Sequence, residues 1–588
     1  MMHAIALTVC VMRAQKSSVH TGLPMSLPQD FTRRRFTVWL GMIVLGFAAL
    51  RGPLVRVPME RDEGENAMMG LGMLHGIPPY SDAYMMKLPG GAALDALIFA
   101  TLGPTTRSLH LALLLMNVVS IAMVGWLGRS LISGSAGLFA AAAYGTFTIG
   151  MGMYGPWLSS EHVAVLFLLA GACLTCRATG SGDIGVHDFV AELARVRFSG
   201  STFLRTWLHA RNVVVPGIGM ICLGMAMVVK QHAAFPAFAW ALVVGVIACR
   251  DRAWGSRLKW FAGALLAFFT PLILTTLIMA WCGVFEKFWF WTFTYAARYA
   301  SSVPLWLGWE YFKISAGKIF MDASLLWIMS GAGFVVLLWK PPSPGARWLL
   351  LLSTLGGAAA ASAGLMFRPQ YFILLAPFAA LLAGVTWNAL VGRIRRAALR
   401  LLVCTCLVIA SFVVLVEPLL RGINQKSDGI CREVYGMNPF PEYPLIADYV
   451  RKHTRPEDRL AILGSEPGIY FLADRRPAMP HVCIYEMMKP HAYARQMQAE
   501  AIQEIEKAKP PCVVLVDAES SWKRRPESEP MFYRWSLDFL REHYVLDGMI
   551  DLVSCNEVIV RWDEEARAYK PQSEHTVQIF KRKAEKRP

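Results

Sequence analysis

Glu60-Arg61-Asp62-Glu63-Gly64 follows directly on the first long apolar segment of the chain. Two adjacent carboxylates, Asp62 and Glu63, stand where the chain has just left a membrane. Ionised groups at such a position are costly unless water, a partner or a metal receives them. Gly76-Ile77-Pro78-Pro79-Tyr80 and Tyr84-Met85-Met86-Lys87-Leu88-Pro89 come next. An acid pair, a turn and a lone lysine before a proline point to a site at the outer membrane face that handles a phosphorylated lipid.

The composition supports a membrane protein. Hydrophobic residues make up 55%, charged residues 17%, and mean hydropathy is +0.40. A soluble chain carries about a quarter charged residues. The net charge of +16 raises nucleic acid as a partner. The basic residues, however, cluster in short loops between apolar runs, which is the positive-inside pattern, and nucleic acid is excluded.

A transmembrane helix needs about 20 mostly apolar residues. Eleven spans are predicted: Phe36–Leu50, Leu109–Leu127, Ala136–Met153, Glu161–Cys176, Val213–Val229, Ala233–Cys249, Trp260–Trp281, Ala323–Trp339, Trp348–Met366, Tyr371–Val391 and Leu401–Val416. Arg33-Arg34-Arg35 precede the first span. Loops with Arg195, Arg197, Arg205 and Arg211, then Arg250, Arg252, Arg257 and Lys259, then Arg393, Arg395, Arg396 and Arg400, fall on the same side. That side is read as cytoplasmic. The segments with Asp62, Glu161, Lys230, Arg368 and everything after Glu417 then lie outside the inner (plasma) membrane. Met1–Gln29 lacks the basic start of a signal peptide and reads as an overlong N-terminus.

Three regions are therefore expected: a cytoplasmic segment over residues 1–35, a transmembrane domain over 36–416 with its first external loop at 51–108, and an external α/β domain over 417–588. In the last, Pro444–His453, Arg495–Lys509 and Met531–His543 read as amphipathic helices. Leu460–Leu463, Cys512–Val516, Glu557–Arg561 and Val577–Lys581 read as strands. Ile462-Leu463-Gly464-Ser465 looks like a nucleotide-binding turn, but no GxGxxG follows. No CxxC pair occurs; Cys431, Cys483, Cys512 and Cys555 are disulfide candidates if the region is external.

The candidate residues each have a plain and a chemical reading. Asp62 is either the N-cap of a helix over Ala67–Leu74, with Glu65 closing a capping box, or a base that accepts a proton from a hydroxyl. Lys87 is either a snorkelling anchor or a point charge for a phosphate. Glu161, beside His162, stands at the start of a span and should face a cavity. Lys230 and Arg368 are rare external cations that either anchor helix ends or converge on Lys87 as a phosphate clamp. The aromatics Phe288–Trp291, Tyr295, Tyr299, Trp306, Trp309 and Tyr311 form an interfacial belt, with some left to line a groove.

These residues, in this order, resemble the GT-C superfamily of polyprenyl-phosphate-dependent glycosyltransferases, in its bacterial branch similar to protein O-mannosyltransferases and to lipid A aminoarabinose transferase. The likeness rests on Asp62-Glu63-Gly64, Gly76-x-x-Pro79-Tyr80, Lys87-x-Pro89, Leu102-Gly103, Ser160-Glu161, Lys230, and Arg368-x-x-Tyr371-Phe372 with Pro377. It covers about residues 36–416. The resemblance implies transfer of a hexosyl or pentosyl group, with inversion, from a polyprenyl-phosphate donor to a hydroxyl of a lipid, glycan or protein. Asp62 matches the catalytic acid, with Glu63 next in line. Lys87 and Arg368 match donor-phosphate contacts, with Lys230 and Tyr371 beside them, and Tyr80 and Tyr84 are the candidate substrate contacts. Glu161 matches a second acid often linked to a divalent metal. Gln370 departs from the pattern, since a histidine is common there, and so do Gly90-Gly91. The rival function is a transporter or flippase of lipid-linked saccharides; such proteins tend to show inverted repeats and charges deep in broken helices, neither of which is evident here.

Overall fold

The computed structural model describes residues 32–176, 201–250, 253–394, 396–415 and 427–584. Met1–Gln29, Arg195, Arg197, Arg252 and Arg395 lie outside them, as do the side chains of Arg205 and Arg211.

Each of the eleven apolar segments is mainly helical over its described residues; Val416 and Glu417 lie outside these. Among the described residues five helices are long and apolar enough to cross a membrane, and a sixth is counted if Leu305–Asp322 and Ser324–Trp339 form one bent span. Four more apolar helices are shorter. Helix Ser160–Cys176 packs on Ser201–Val229 and on Thr106–Leu131, which packs in turn on Gly134–Ile149. Ala376–Arg393 then joins Gly134–Ile149 to Ser324–Trp339. Large apolar side chains such as Leu45, Leu277 and Trp281 stay exposed on these helices, the pattern of a bundle whose solvent is lipid.

One segment differs from the sequence reading. Trp306, Trp309 and Tyr311 sit in the helix Leu305–Asp322, which meets Ser324–Trp339 at 105°. Ala323, at φ −155° and ψ 51°, breaks the helical path there.

The C-terminal region is an α/β domain. Its six strands are β1 (Arg459–Leu463), β2 (Arg476–Pro477), β3 (Cys512–Asp517), β4 (Tyr544–Ser554), β5 (Glu557–Trp562) and β6 (Thr576–Arg582). They form one sheet in the order β2-β1-β3-β6-β4-β5. The pairs β2/β1 and β1/β3 are parallel; β3/β6, β6/β4 and β4/β5 are antiparallel. The amphipathic helices appear at Tyr443–His453, Ala494–Ala508 and Met531–His543. Cys431, Cys483, Cys512 and Cys555 are all free thiols, so no disulfide joins them.

The domain docks on the segment between the first two predicted spans. A Cβ added to Gly64 would lie 2.4 Å from the backbone nitrogen of Gly468, so helix Arg61–Leu74 and helix Pro467–Ala473 meet backbone to backbone. Beside that contact Arg61 pairs with the buried Glu466 at 2.9 Å and also donates to the Ser465 carbonyl. The Gly464-Ser465 turn is thus a docking point: it receives an arginine, and Ser465 Oγ donates to the Ser521 carbonyl.

Candidate active site

The helix that carries the acid pair starts at Arg61, not near Ala67. Glu60 is its N-cap and accepts from the backbone N–H groups of Asp62 and Glu63, both at 2.8 Å. Glu63 closes the capping box from the other side. Acidic side chains in the first turn also suit the positive end of the helix dipole. The predicted cap at Asp62 and box at Glu65 are therefore corrected by two residues. This register leaves the side chains of Asp62 and Glu65 free to face a cavity.

That cavity has a volume of about 810 Å³ and lies between one end of the helical bundle and the C-terminal domain. Asp62, Glu65, Lys87, Lys230, Arg368 and Tyr371 line it. The segments that the charge pattern placed on one side of the membrane thus meet at one end of the molecule. Lys87 Nζ stands 3.1 Å from Asp62 Oδ1 and 2.7 Å from Glu65 Oε2. Its backbone is pinned twice: Tyr80 Oη donates to the Lys87 carbonyl at 2.7 Å, and Gln231 Nε2 donates to that of Met86 at 2.7 Å. Gln370 Nε2 donates to Asp62 Oδ2 at 3.2 Å.

These contacts set the charge of Asp62. Burial pushes its carboxyl upward, but Lys87, and then Lys230, overcome this and draw it down to about 2. The side chain keeps 36% of its surface open to the cavity. Glu65 moves the other way, raised by burial ahead of the opposing pull of Lys87. Lys87 is raised well above its usual range: burial opposes, and Asp62 and Glu65 prevail.

Deeper in, Lys230 Nζ lies 2.9 Å from Glu161 Oε1 and 5.2 Å from the centre of the Tyr371 ring. His232 Nε2 is 3.6 Å from the same oxygen of Glu161. Among the described residues no group of three His, Cys, Asp or Glu side chains assembles into a metal site. Lys230 is thus the ion-pair partner of Glu161 at Oε1. His162 does not join them; its Nδ1 pairs with Ser159 Oγ at 3.1 Å.

Glu63 and Tyr80 do not line this cavity. Glu63 is buried against His110, 3.0 Å away, and also accepts from the Leu158 N–H. It is turned away because its own helix turn needs it as a cap. Tyr80 is wholly buried, at φ 64°, and acts on Lys87 through the backbone. Tyr84 does reach the cavity, stacked 5.1 Å from Trp291, with its hydroxyl on Glu500. The aromatic belt is divided: Trp291 and Tyr299 line the cavity, while Trp306 and Trp309 are exposed. Gly90 lies against the Val228 carbonyl, 2.7 Å from where a Cβ would be. That close approach explains a glycine after Lys87-x-Pro89.

The C-terminal domain supplies lining that the sequence did not suggest. Tyr435, Tyr485, Glu486, Ser520 and Lys523 line the cavity from that domain. Nothing in local sequence pattern signals this, since the contacts span hundreds of residues.

No protein-family model and no curated protein matches this sequence. Solved structures do. ArnT from Cupriavidus metallidurans bound to undecaprenyl phosphate is similar with a TM-score of 0.52 at 14% identity, over 82% of this chain and 93% of that one. The apo oligosaccharyltransferase of Archaeoglobus fulgidus is similar with a TM-score of 0.50 at 13% identity, over 91% of this chain and 75% of that one. ArnT from the same Cupriavidus species in the apo state gives 0.50 at 15% identity, over 87% and 96%. At these identities the likeness is one of fold, shared with the ArnT and oligosaccharyltransferase structures.

Proposed function

We propose that this chain is a multi-pass inner-membrane glycosyltransferase that moves a sugar from a polyprenyl-phosphate donor to an acceptor hydroxyl on the external face, with its N-terminus cytoplasmic and its C-terminus external. One observation carries the reading: Asp62 shares a single cavity with Lys87, Lys230, Arg368 and Tyr371, where the helical bundle meets the C-terminal domain. The fold likeness adds to it, since one similar structure is described as bound to undecaprenyl phosphate.

The chemistry follows from the charges. The donor phosphate would take Lys87 and Arg368 as counter-charges, with Tyr371 and Lys230 beside it. As the bond from the anomeric carbon to the phosphate oxygen breaks, its electron pair goes to the phosphate, where these cations stabilise it. The acceptor oxygen forms the new bond from the opposite face, which inverts the centre. Its proton goes to Asp62. A carboxylate held near 2 is a weak base. A phosphate that draws Lys87 away from Asp62 raises that proton affinity when the donor is in place.

The test is release of polyprenyl phosphate from a labelled polyprenyl-phosphate sugar by the purified chain. No release over background, from hexosyl or pentosyl donors, would sink the reading. Orientation is tested separately: a reporter fused at about residue 430 should be active only as an external-side reporter.

A further inference from the structure

The cations around the cavity are not equally served. Lys87 has Asp62 and Glu65, Lys230 has Glu161, and Arg61 has Glu466. Lys489 Nζ pairs with Glu486 Oε1 at 2.7 Å, and the other oxygen of Glu486 accepts from Tyr295 Oη at 3.0 Å. Arg368 and Lys523 also line the cavity, and among the described residues neither has a carboxylate within ion-pair distance. Lys523 follows the short turn Glu519–Trp522, so the C-terminal domain presents it. Its ammonium lies 4.4 Å over the centre of the Tyr485 ring. Lys489 lies 5.0 Å from the same ring centre and Arg61 5.9 Å from it. Three cations thus share one aromatic ring, and one of them faces open space with no anion.

A cation–π contact is worth only about 0.5–2 kcal/mol. It does not replace a counter-ion for a half-buried ammonium. We propose that Lys523, presented by the C-terminal domain over the Tyr485 ring, forms a second anion subsite that binds a phosphate or carboxylate group carried by the acceptor. The donor's phosphate is tied to a chain that must stay in the bilayer, whereas Lys523 belongs to the outer domain. An anion there therefore enters from the external side. This rests on the transferase reading, and it names the acceptor's chemistry.

The charges acting on Lys523 include Arg368, Arg61 and Lys489, with Glu486 opposing them and Tyr485 beneath. Burial first, then those three cations, lower Lys523 to about 7. A base lowered in this way gains its charge as pH falls through that value. Anion binding therefore strengthens on going from about pH 8.5 to about pH 6.

Inorganic sulfate is the probe, because its charge is constant over this range. The full chain in detergent is first saturated with undecaprenyl phosphate, to fill the donor side, and sulfate binding is then followed by calorimetry. Sulfate should bind about tenfold tighter at the lower pH. Lys523→Met should lose that gain and leave undecaprenyl phosphate affinity unchanged. Lys523→Arg, which stays charged, should bind sulfate at both pH values; this rescue separates charge from folding. Sulfate that competes with the lipid, or that binds Lys523→Met as well as the parent, overturns the subsite. Undecaprenyl diphosphate weakened by Lys523→Met, with the monophosphate unaffected, assigns the subsite to the donor and overturns the acceptor reading. Sulfate binding that depends on Lys523 while the lipid fails to bind supports the anion subsite and overturns the transferase reading instead.

Discussion

On the membrane side of the cavity Lys87 rests on Asp62 and Glu65, and Lys230 rests on Glu161. On the side of the C-terminal domain Lys523 rests on an aromatic ring, and among the described residues no carboxylate is within ion-pair distance of it. The difference concerns what an incoming anion must disrupt. On the first side it must displace an existing ion pair, and the displacement changes the base that remains. On the second side nothing need be displaced. Under the proposed function the side with Lys87 would couple binding to chemistry, and the side with Lys523 would bind alone.

Asp62→Asn tests the coupled side with the largest expected effect. Because Glu60 is the cap, the helix should keep its stability in this variant. The loss of proton acceptance should cost about 10²–10⁴ in transfer rate. A wild-type rate of polyprenyl phosphate release would remove Asp62 from the chemistry.

Lys87→Ala should come next, weakening donor binding by about 10- to 100-fold, the worth of a charged hydrogen bond. It should also move the pH profile. Lys87 holds the Asp62 carboxyl down, so without it the carboxyl protonates at a higher pH. Residual activity should then fall off at a higher pH on the acid side than in the parent. An unmoved acid limb would show that Lys87 does not govern Asp62.

Gly64→Leu asks whether the two sides belong to one site. A side chain there meets the Gly468 backbone, and overpacking of this kind costs about 1–3 kcal/mol. The C-terminal domain should become easier to cleave away by limited proteolysis, with transfer reduced in step. Glu63→Gln is the smallest case. It disturbs the buried pair with His110 and should lower the melting temperature, yet activity per folded molecule should hold. A selective loss of rate would return Glu63 to the chemistry.

The bundle was legible because lipid-facing helices must be apolar along their whole length, whatever packs beside them. Lys87 and Arg368 were legible because cations are rare on the external side. The capping register was not. Asp62 with Glu65 and Glu60 with Glu63 both satisfy a cap three residues before an acid, and aspartate is the better intrinsic cap. Packing decided the matter, since Gly64 must face Gly468. β4 escaped notice because Asp547, Gly548 and Asp551 interrupt its apolar pattern, and its register with β6 shifts between Leu546 and Gly548. Gln370 looked like a departure from a family pattern, yet it supplies a hydrogen bond to Asp62. Lys523 had no local signal at all. Its meaning lies in the ring beneath it and in the cations around that ring.

The contact of Arg61 with Glu466 has a consequence for how the protein is made. The two residues are separated by 405 positions in the chain. At a synthesis rate of about 5–20 residues per second, roughly 20–80 s pass between their emergence from the ribosome. During that interval the acid-bearing helix is already beside the membrane, without the domain that covers it. The cavity gains its C-terminal lining only after the segment from Tyr435 to Lys523 has been made. A product stopped before Glu466 therefore lacks the contacts that cover the start of this helix.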